Sequence, residues 1–499
     1  MNNSVKTITK NASVLMLSQL ITWGMALVLM IFLPRYLGAV GVGKFQLATS
    51  LWAIVSIVVS FGMDTYMTRE IARAPEKASL FFSATLTLQF VLFLLGVGVM
   101  ILYTQFADYP DDTMLIIAII GASVFIGQMS LSSRAILSGL ERMEYVSLSD
   151  ITAKGIATLL SIVLLVLGYG VTAVALVSIV GSSVGLVTQL SALRRIGQLH
   201  FKRFDFTLAQ SILKASFPFL LINGFLVFYA QVDIVIISLL VSEEALGWYG
   251  AADRLFTTLL FIPTVFMAAV FPALSRMHSE GSEKINNVSR LSFNLLFLAG
   301  VPLGFGLVAI SDSLIALIFG PDFAESSPIL KVFGLVLVLT YQNILLGSFL
   351  ISTDRQKPWT RVIIIATVVS IPLDLVLVPW CQNTFNNGAI GGAIAFVITE
   401  AYMLVEGVRL LPKRTLGIAN LSYAVRTLLA GGIMFAVVWQ LRDSFFLIPI
   451  LAGAVIYLVC IMLFRLVSPE TWQILKYVSK GVLNRLGSKR VPPVSTPME

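Results

Sequence analysis

The sequence predicts an all-α polytopic membrane protein, and three observations carry that prediction. Of its 499 residues 57% are hydrophobic and only 12% charged, whereas a soluble domain carries about a quarter charged residues. About 14 mostly apolar stretches follow one another along the chain, each near the roughly 20 residues a helix needs to cross a bilayer. Lys and Arg collect on alternate connections, as the positive-inside rule requires.

The stretches begin near Asn11, Lys44, Ser79, Thr113, Ser147, Val171, Ala215, Tyr249, Leu291, Ser326, Trp359, Gly388, Asn420 and Phe445. The first follows Lys6 and Lys10, is too long for a signal core and lacks a small-x-small cleavage site. With the N-terminus inside, about 27 of the 34 Lys and Arg fall on the inner side, among them Arg69, Arg73, Arg194, Arg195, Arg355 and Arg409. The outer loops keep only Arg35, Lys44 and Arg442 and carry acidic runs such as "DYPDD" from Asp108. Both termini are therefore predicted to be cytoplasmic. The net charge of +8 reads as topology and attraction to anionic lipid.

The polar link from Arg194 to Lys214 divides the spans six and eight. A weak internal repeat supports that division: "LGAVGVGKFQLATSLWAIV" at Leu37 aligns with "VSEEALGWYGAADRLFTTL" at Val241, setting Gly43 against Gly247. The expected architecture is two six-helix lobes around a central cavity, 1–200 and 201–414, with two further helices over 415–467. Residues 468–499 read as an amphipathic cytoplasmic tail, with Trp472, Leu475, Val478, Val482 and Leu486 on one face.

Several chemistries are excluded. His200 and His278, with Cys381 and Cys460, assemble no metal cluster, triad or disulfide framework. "GAVGVGKF" at Gly38 follows the start of a phosphate-binding loop, but Phe45 stands where a Ser or Thr must meet magnesium. The outer loops are too short for a catalytic domain, so the chain is read as a non-enzyme.

Ionisable residues inside spans are costly and mark function by default. Asp150 and Lys154, four apart at what reads as a cytoplasmic helix end, are taken as a structural pair. Glu406 and Arg426 read as groups that snorkel to the inner surface. Asp233, Asp253, Arg254, Lys331 and Asp374 gather in the outward half of the second lobe. Pro218, Pro263, Pro272, Pro302 and Pro372 interrupt helices of that lobe, while Pro34 alone falls in the first six. A proline frees a carbonyl, and broken helices are where transporters bind ions.

At these residues the chain resembles a known superfamily. "FYAQVDIVIISLL" and "GWYGAADRLFTTLLFIPTVFMAAVFPALSRM" look like the seventh and eighth helices of the multidrug/oligosaccharidyl-lipid/polysaccharide exporters. "LPRYLGAVGVGKFQLATSLW…FGMDTYMTREIA" is similar to the polysaccharide (O-antigen type) flippase branch through Arg35, Gly38, Gly43, Gly62, Arg69 and Ala72. The resemblance implies a flippase that carries polyprenyl-(pyro)phosphate-linked oligosaccharide from the inner to the outer leaflet of the cytoplasmic membrane by alternating access, for polysaccharide biosynthesis. It also implies glycosyltransferases and a polysaccharide polymerase as functional partners, no nucleic acid, and a monomer as sufficient.

Arg254, in "ADRL", would meet the pyrophosphate, for which a guanidinium fork is suited, with Lys331, Arg35 and Asp253 beside it. Asp233 and Asp374 match the cation-site carboxylates of lipid II flippases, with Thr399 as the nearest hydroxyl because Phe396 occupies the expected position. That exchange leaves Na+ and H+ both open as the coupling ion, with no other cofactor. The alternatives are a cation-coupled multidrug antiporter of the same superfamily and a lipid II flippase. A membrane-integral polymerase or ligase lacks the outer loop it would need.

Overall fold

A computed structural model describes residues 3–198, 205–280, 284–412 and 415–467. Among them every regular element is helical. The longer helices are α1 (Asn3–Ser60), α2 (Met63–Arg73), α3 (Ala78–Ala107), α4 (Asp111–Gly139), α5 (Met143–Val166) and α6 (Val171–Arg195), then α7 (Phe206–Leu240), α8 (Glu243–Leu259), α9 (Phe261–Ser279), α10 (Lys284–Ile318), α11 (Ser326–Ser352), α12 (Gln356–Phe385), α13 (Ala389–Leu410), α14 (Ile418–Gln440) and α15 (Leu447–Leu463). Twelve are long and apolar enough to cross a membrane. The amphipathic tail expected over 468–499 lies outside the described residues, as does His200.

The 58 residues of α1 would run roughly 87 Å if straight, far beyond a hydrocarbon core of about 30 Å. The helix breaks instead at Gly38, where φ is 66° and ψ 179°, a conformation open to glycine and strained for other residues. The sequence predicts two spans here, and this break divides them. The polar link resolves differently. Asp205 accepts from the backbone N–H groups of Thr207 and Leu208 at 2.9 and 3.2 Å and so caps α7, making residues 206–214 helical.

Helices α1 and α3 to α6 pack chiefly on one another, and α7, α8 and α10 to α13 do likewise; α1 then joins the two groups through α7 and α8. The closest approach is between the repeat-related glycines. A Cβ on Gly43 would lie 1.9 Å from the carbonyl oxygen of Glu243, and one on Gly247 1.9 Å from that of Ala39. Only glycine permits backbones to cross so closely. Around this crossing the groups are tied at one end of the bundle. Lys44 bonds Asp112 and lies 3.4 Å from Glu243, Thr113 donates to Glu243, and Tyr109 meets Ser238 at 2.9 Å. Arg35 donates to the carbonyls of Ile318, at 2.7 Å, and Leu317.

The prolines have a structural use that their pattern did not reveal. Pro263 cannot donate to the carbonyl of Leu259, and α8 ends there; the Tyr341 hydroxyl of α11 takes that carbonyl at 2.7 Å. Pro302 likewise frees Leu298, whose carbonyl accepts from the Tyr457 hydroxyl of α15 at 2.9 Å. In lipid no water can serve instead. Two carbonyls expected to bind ligands are thus held by tyrosines.

Two substitutions test this framework. Gly247→Ala places a methyl against the Ala39 backbone and should lower stability by about 1–3 kcal/mol, with increased labelling of a cysteine introduced at Ala39. Tyr341→Phe orphans the Leu259 carbonyl at a cost of about 1–3 kcal/mol, read as a lower melting temperature in detergent; an unchanged one would show that the cap contributes nothing.

Candidate functional site

The bundle has polar groups inside and apolar ones outside, as a lipid solvent demands. Leu95, Val99 and Leu102 of α3 are more than half exposed, while Gln89, Ser132, Ser133, Ser149 and Gln189 are buried. Much of that polarity surrounds a cavity of about 500 Å³ within the first helix group, walled by α1, α4, α5 and α6. Beside Trp23, Leu131, Ala153 and Ala157 it is lined by hydroxyls, amides and three charged groups, Arg134, Asp150 and Lys154.

These groups are organised. Ser130 donates to the Gln189 carbonyl at 2.9 Å, and the Gln189 amide donates to Ser149 at 3.0 Å. Ser123 and Ser182 meet at 3.0 Å. Arg134 bonds Asp150 at 2.6 Å. This corrects the expected Asp150–Lys154 pair, because the guanidinium of α4 reaches the carboxylate first. Lys154 has no ion pair among the described residues, and it stands near the middle of α5 (Met143–Val166), away from the helix end where the sequence reading placed it. A second cavity of about 450 Å³ adjoins the first through Ser123, Gly127, Ser178 and Ser182.

An apolar groove of about 660 Å³ runs along α1, α8, α10, α14 and α15, past Leu27, Leu303, Met434 and Ala454. It continues through Leu27 and Thr258 into a smaller space between α1 and α8, and that space reaches Trp23, which also lines the polar cavity. Apolar and polar spaces therefore border one another at Trp23 of α1.

The residues selected from sequence lie outside these linings. Arg254, in the second half of α8, is partly buried; its guanidinium lies 6.0 Å from the Phe45 ring of α1 and forms no ion pair among the described residues. Phe45 is one turn before Thr49, which lines the second polar cavity. Lys331 is held by both carboxylate oxygens of Asp312 at 2.9 Å, at the start of α11. Arg35 caps the end of α10 as described. None of Arg254, Lys331 and Arg35 lines the cavities described above. Asp253 has no ion-pair partner among the described residues and lies within electrostatic reach of Tyr249, as do Asp233 and Asp374.

Asp233 and Asp374 come together from α7 and α12, both buried and within hydrogen-bonding reach of each other, with Ser370 beside Asp233. One oxygen of Asp233 and both of Asp374 lack a hydrogen-bond donor. Two carboxyl groups at that range cannot both carry charge uncompensated. A shared proton or a small cation fits the oxygen set. Thr399 is elsewhere: its hydroxyl meets Tyr229 at 3.1 Å and its own helix at the Phe396 carbonyl. Phe396 packs with Phe256 and Phe333, filling the second group with aromatic rings where the first is hollow. Glu400 is fully satisfied by Tyr229, Thr340 and Asn343. Glu406, read as snorkelling, pairs with Arg409.

Sequence reasoning missed the polar cavity, although a signal was present. Ser178, Ser182, Gly185 and Gln189 recur at intervals of four, three and four, one face of a helix, and small polar faces mark packed or solvated interiors in membranes.

A membrane-spanning helical bundle that holds an apolar groove and a polar cavity side by side is a transporter by class. The chain belongs to the family described as polysaccharide biosynthesis protein, which matches residues 8–278; a second family, described as MatE, matches residues 218–376. It is similar to a probable low-salt glycan biosynthesis flippase of Haloferax volcanii, 23% identical over 385 residues, 74% of this chain and 76% of that protein. It is also similar to a protein of Shigella dysenteriae named "Putative O-antigen transporter", 23% identical over 367 residues, 73% of this chain and 89% of the other. Among solved structures, the lipid II flippase MurJ in an inward closed conformation shares the fold with a TM-score of 0.73 at 16% identity, covering 92% of this chain and 99% of that one.

The Asp233–Asp374 pair makes a measurable prediction. Melting temperature in detergent should vary with pH and with sodium in the wild type, and Asp374→Asn should flatten both dependences because an amide can donate to Asp233 without a shared proton or cation. Identical profiles would show that the pair titrates nothing and binds nothing.

Proposed function

We propose that this protein is a flippase that moves polyprenyl-(pyro)phosphate-linked oligosaccharide across the cytoplasmic membrane for polysaccharide biosynthesis. The observation that carries this reading is the pairing of an apolar groove with a polar cavity, brought next to one another at Trp23 of α1, since the proposed substrate is apolar at one end and hydrophilic at the other. The polyprenyl chain fits the groove between α1, α8, α14 and α15, and the sugars fit the polar compartment. The names of the relatives point the same way. The protein binds and releases its substrate chemically unchanged, so it acts as a carrier and not as an enzyme.

In this reading the phosphates sit at the α1/α8 seam, where Arg254 offers a forked donor set in a site largely withdrawn from water. Asp253 stays beside it as a local counter-charge. The end tied by Lys44, Asp112 and Glu243 faces outward and both termini face the cytoplasm, as the distribution of Lys and Arg predicts. Glycosyltransferases supply the substrate and a polymerase consumes it.

Export can draw on the membrane potential, worth roughly 2.3 kcal/mol for each charge per 100 mV, because the headgroup carries negative charge out of an inside-negative cell. The return of the empty carrier is assigned to the Asp233–Asp374 pair, binding H+ or Na+. The hydroxyl-rich lining favours this substrate over the lipophilic cations of a multidrug antiporter, which carboxylates and aromatic rings would hold.

Arg254→Ala should abolish complementation of a flippase-null strain while the protein accumulates at wild-type levels; full complementation would remove the phosphate role. Flipping by reconstituted wild type, with the sodium and proton gradients collapsed in turn, identifies the coupling ion. Indifference to both gradients would leave the potential acting on the substrate as the sole driving force.

A further inference from the structure

The polar cavity of the first helix group has a feature that flipping a neutral sugar would not require. Lys154 stands near the middle of a membrane-crossing helix, where an ammonium is expensive. It has no ion pair among the described residues, while its neighbours Arg134 and Asp150 neutralise one another. The cavity therefore carries one uncompensated positive charge.

The rest of the lining suits a sugar. Ser130, Ser149, Ser178, Ser182 and Gln189 bring hydroxyls and an amide to the cavity, and Gln128 lines the adjoining part of the same polar space. Gly127 faces open space between α4 and α6, where a Cβ would meet only the Ser182 hydroxyl, at 3.9 Å.

The phosphates do not account for Lys154. They are joined to the polyprenyl chain, and the groove that fits this chain is lined by α8, which carries Arg254. Helix α8 packs chiefly on α1 and α11, whereas α5 packs chiefly on α1 and α6. A charge placed there meets the glycan beyond its pyrophosphate link.

Resting on the flippase reading above, we propose that the cavity between α1, α4, α5 and α6 is a glycan-binding subsite selective for an acidic sugar, with Lys154 pairing with the sugar carboxylate. Gln128, Gln189 and Ser149 border the sugar hydroxyls. Arg134 and Asp150, already paired, fix the wall on which Lys154 stands.

The test uses the full-length protein in lipid nanodiscs and two synthetic polyprenyl-pyrophosphate disaccharides that differ only in the terminal residue, glucuronic acid or glucose. The wild type should bind the glucuronic acid form about tenfold more tightly, the difference expected of one charge-assisted contact, and added salt should reduce the ratio. Lys154→Arg should keep the preference, Lys154→Gln should bring the ratio to near one, and Lys154→Glu should invert it.

A wild-type ratio near one overturns the inference and leaves the flippase reading standing. So does a Lys154→Gln variant that weakens both lipids equally, because the lysine would then be binding the shared pyrophosphate. If the wild type binds neither lipid, the flippase reading itself fails and this inference with it. Should the variants not fold, the wild-type preference and its salt dependence still decide the question.

Discussion

The contact on which the rest of this structure depends is the crossing of two glycines. Gly43 and Gly247 each leave room for a carbonyl from the opposite helix group where a Cβ would lie at 1.9 Å. That approach sets α1 against α8, whose seam borders the apolar groove and reaches Trp23, a wall of the polar cavity. A single methyl at the crossing would change the geometry of that seam. The equivalence of the two positions in the internal repeat explains why each group presents its own glycine to a carbonyl of the other.

Away from the crossing the two groups diverge in what fills them. In the first, Ser and Gln side chains bond one another around open space, because hydroxyls and amides in hydrocarbon must find partners. In the second, Tyr229, Phe256, Phe333 and Phe396 pack edge to face and tilted, leaving room for the small Asp233–Asp374 pair. The first group thus encloses an open polar compartment, and the second a compact buried pair of carboxyl groups. The tyrosines that cover the carbonyls freed by Pro263 and Pro302 belong to the second group and to α15. There the helices are bent and yet hydrogen-bonded, so the bends are fixed features of the scaffold.

The fold was legible because lipid imposes simple rules. Span length, the distribution of Lys and Arg, and the Gly38 break all follow from quantities that a window of sequence contains. Asp233 and Asp374 were also legible, since a carboxylate within a span is costly wherever it lies. Lys331 was read as a cavity residue for the same reason, and Arg35 through the family resemblance, but their fate depended on Asp312 and on the carbonyls of α10, partners that no local pattern identifies. Lys154 was hidden by the opposite error. A carboxylate four residues away promised a partner, and only the arrival of Arg134 from another helix showed that partner to be taken. Pairing across helices is a property of packing, and the sequence of one helix cannot decide it.

The strength of the ties at the Gly38 end matches what alternating access needs. Lys44 is buried, but the Asp112 side chain it meets is 61% exposed, and ion pairs with an exposed partner contribute about 0–1 kcal/mol. The Tyr109–Ser238 and Thr113–Glu243 bonds exchange protein partners for water on opening, at a net cost of about 1 kcal/mol each. The glycine crossing lies within an apolar seam, where Leu33, Val42 and Leu47 of α1 are buried in one cluster with Leu246, Tyr249 and Leu255 of α8, so opening this end costs more than the polar ties alone. A charged headgroup offers about 1.5–3 kcal/mol for each charge-assisted contact, and only several contacts together offset the exposure of that seam. The end therefore stays shut without cargo.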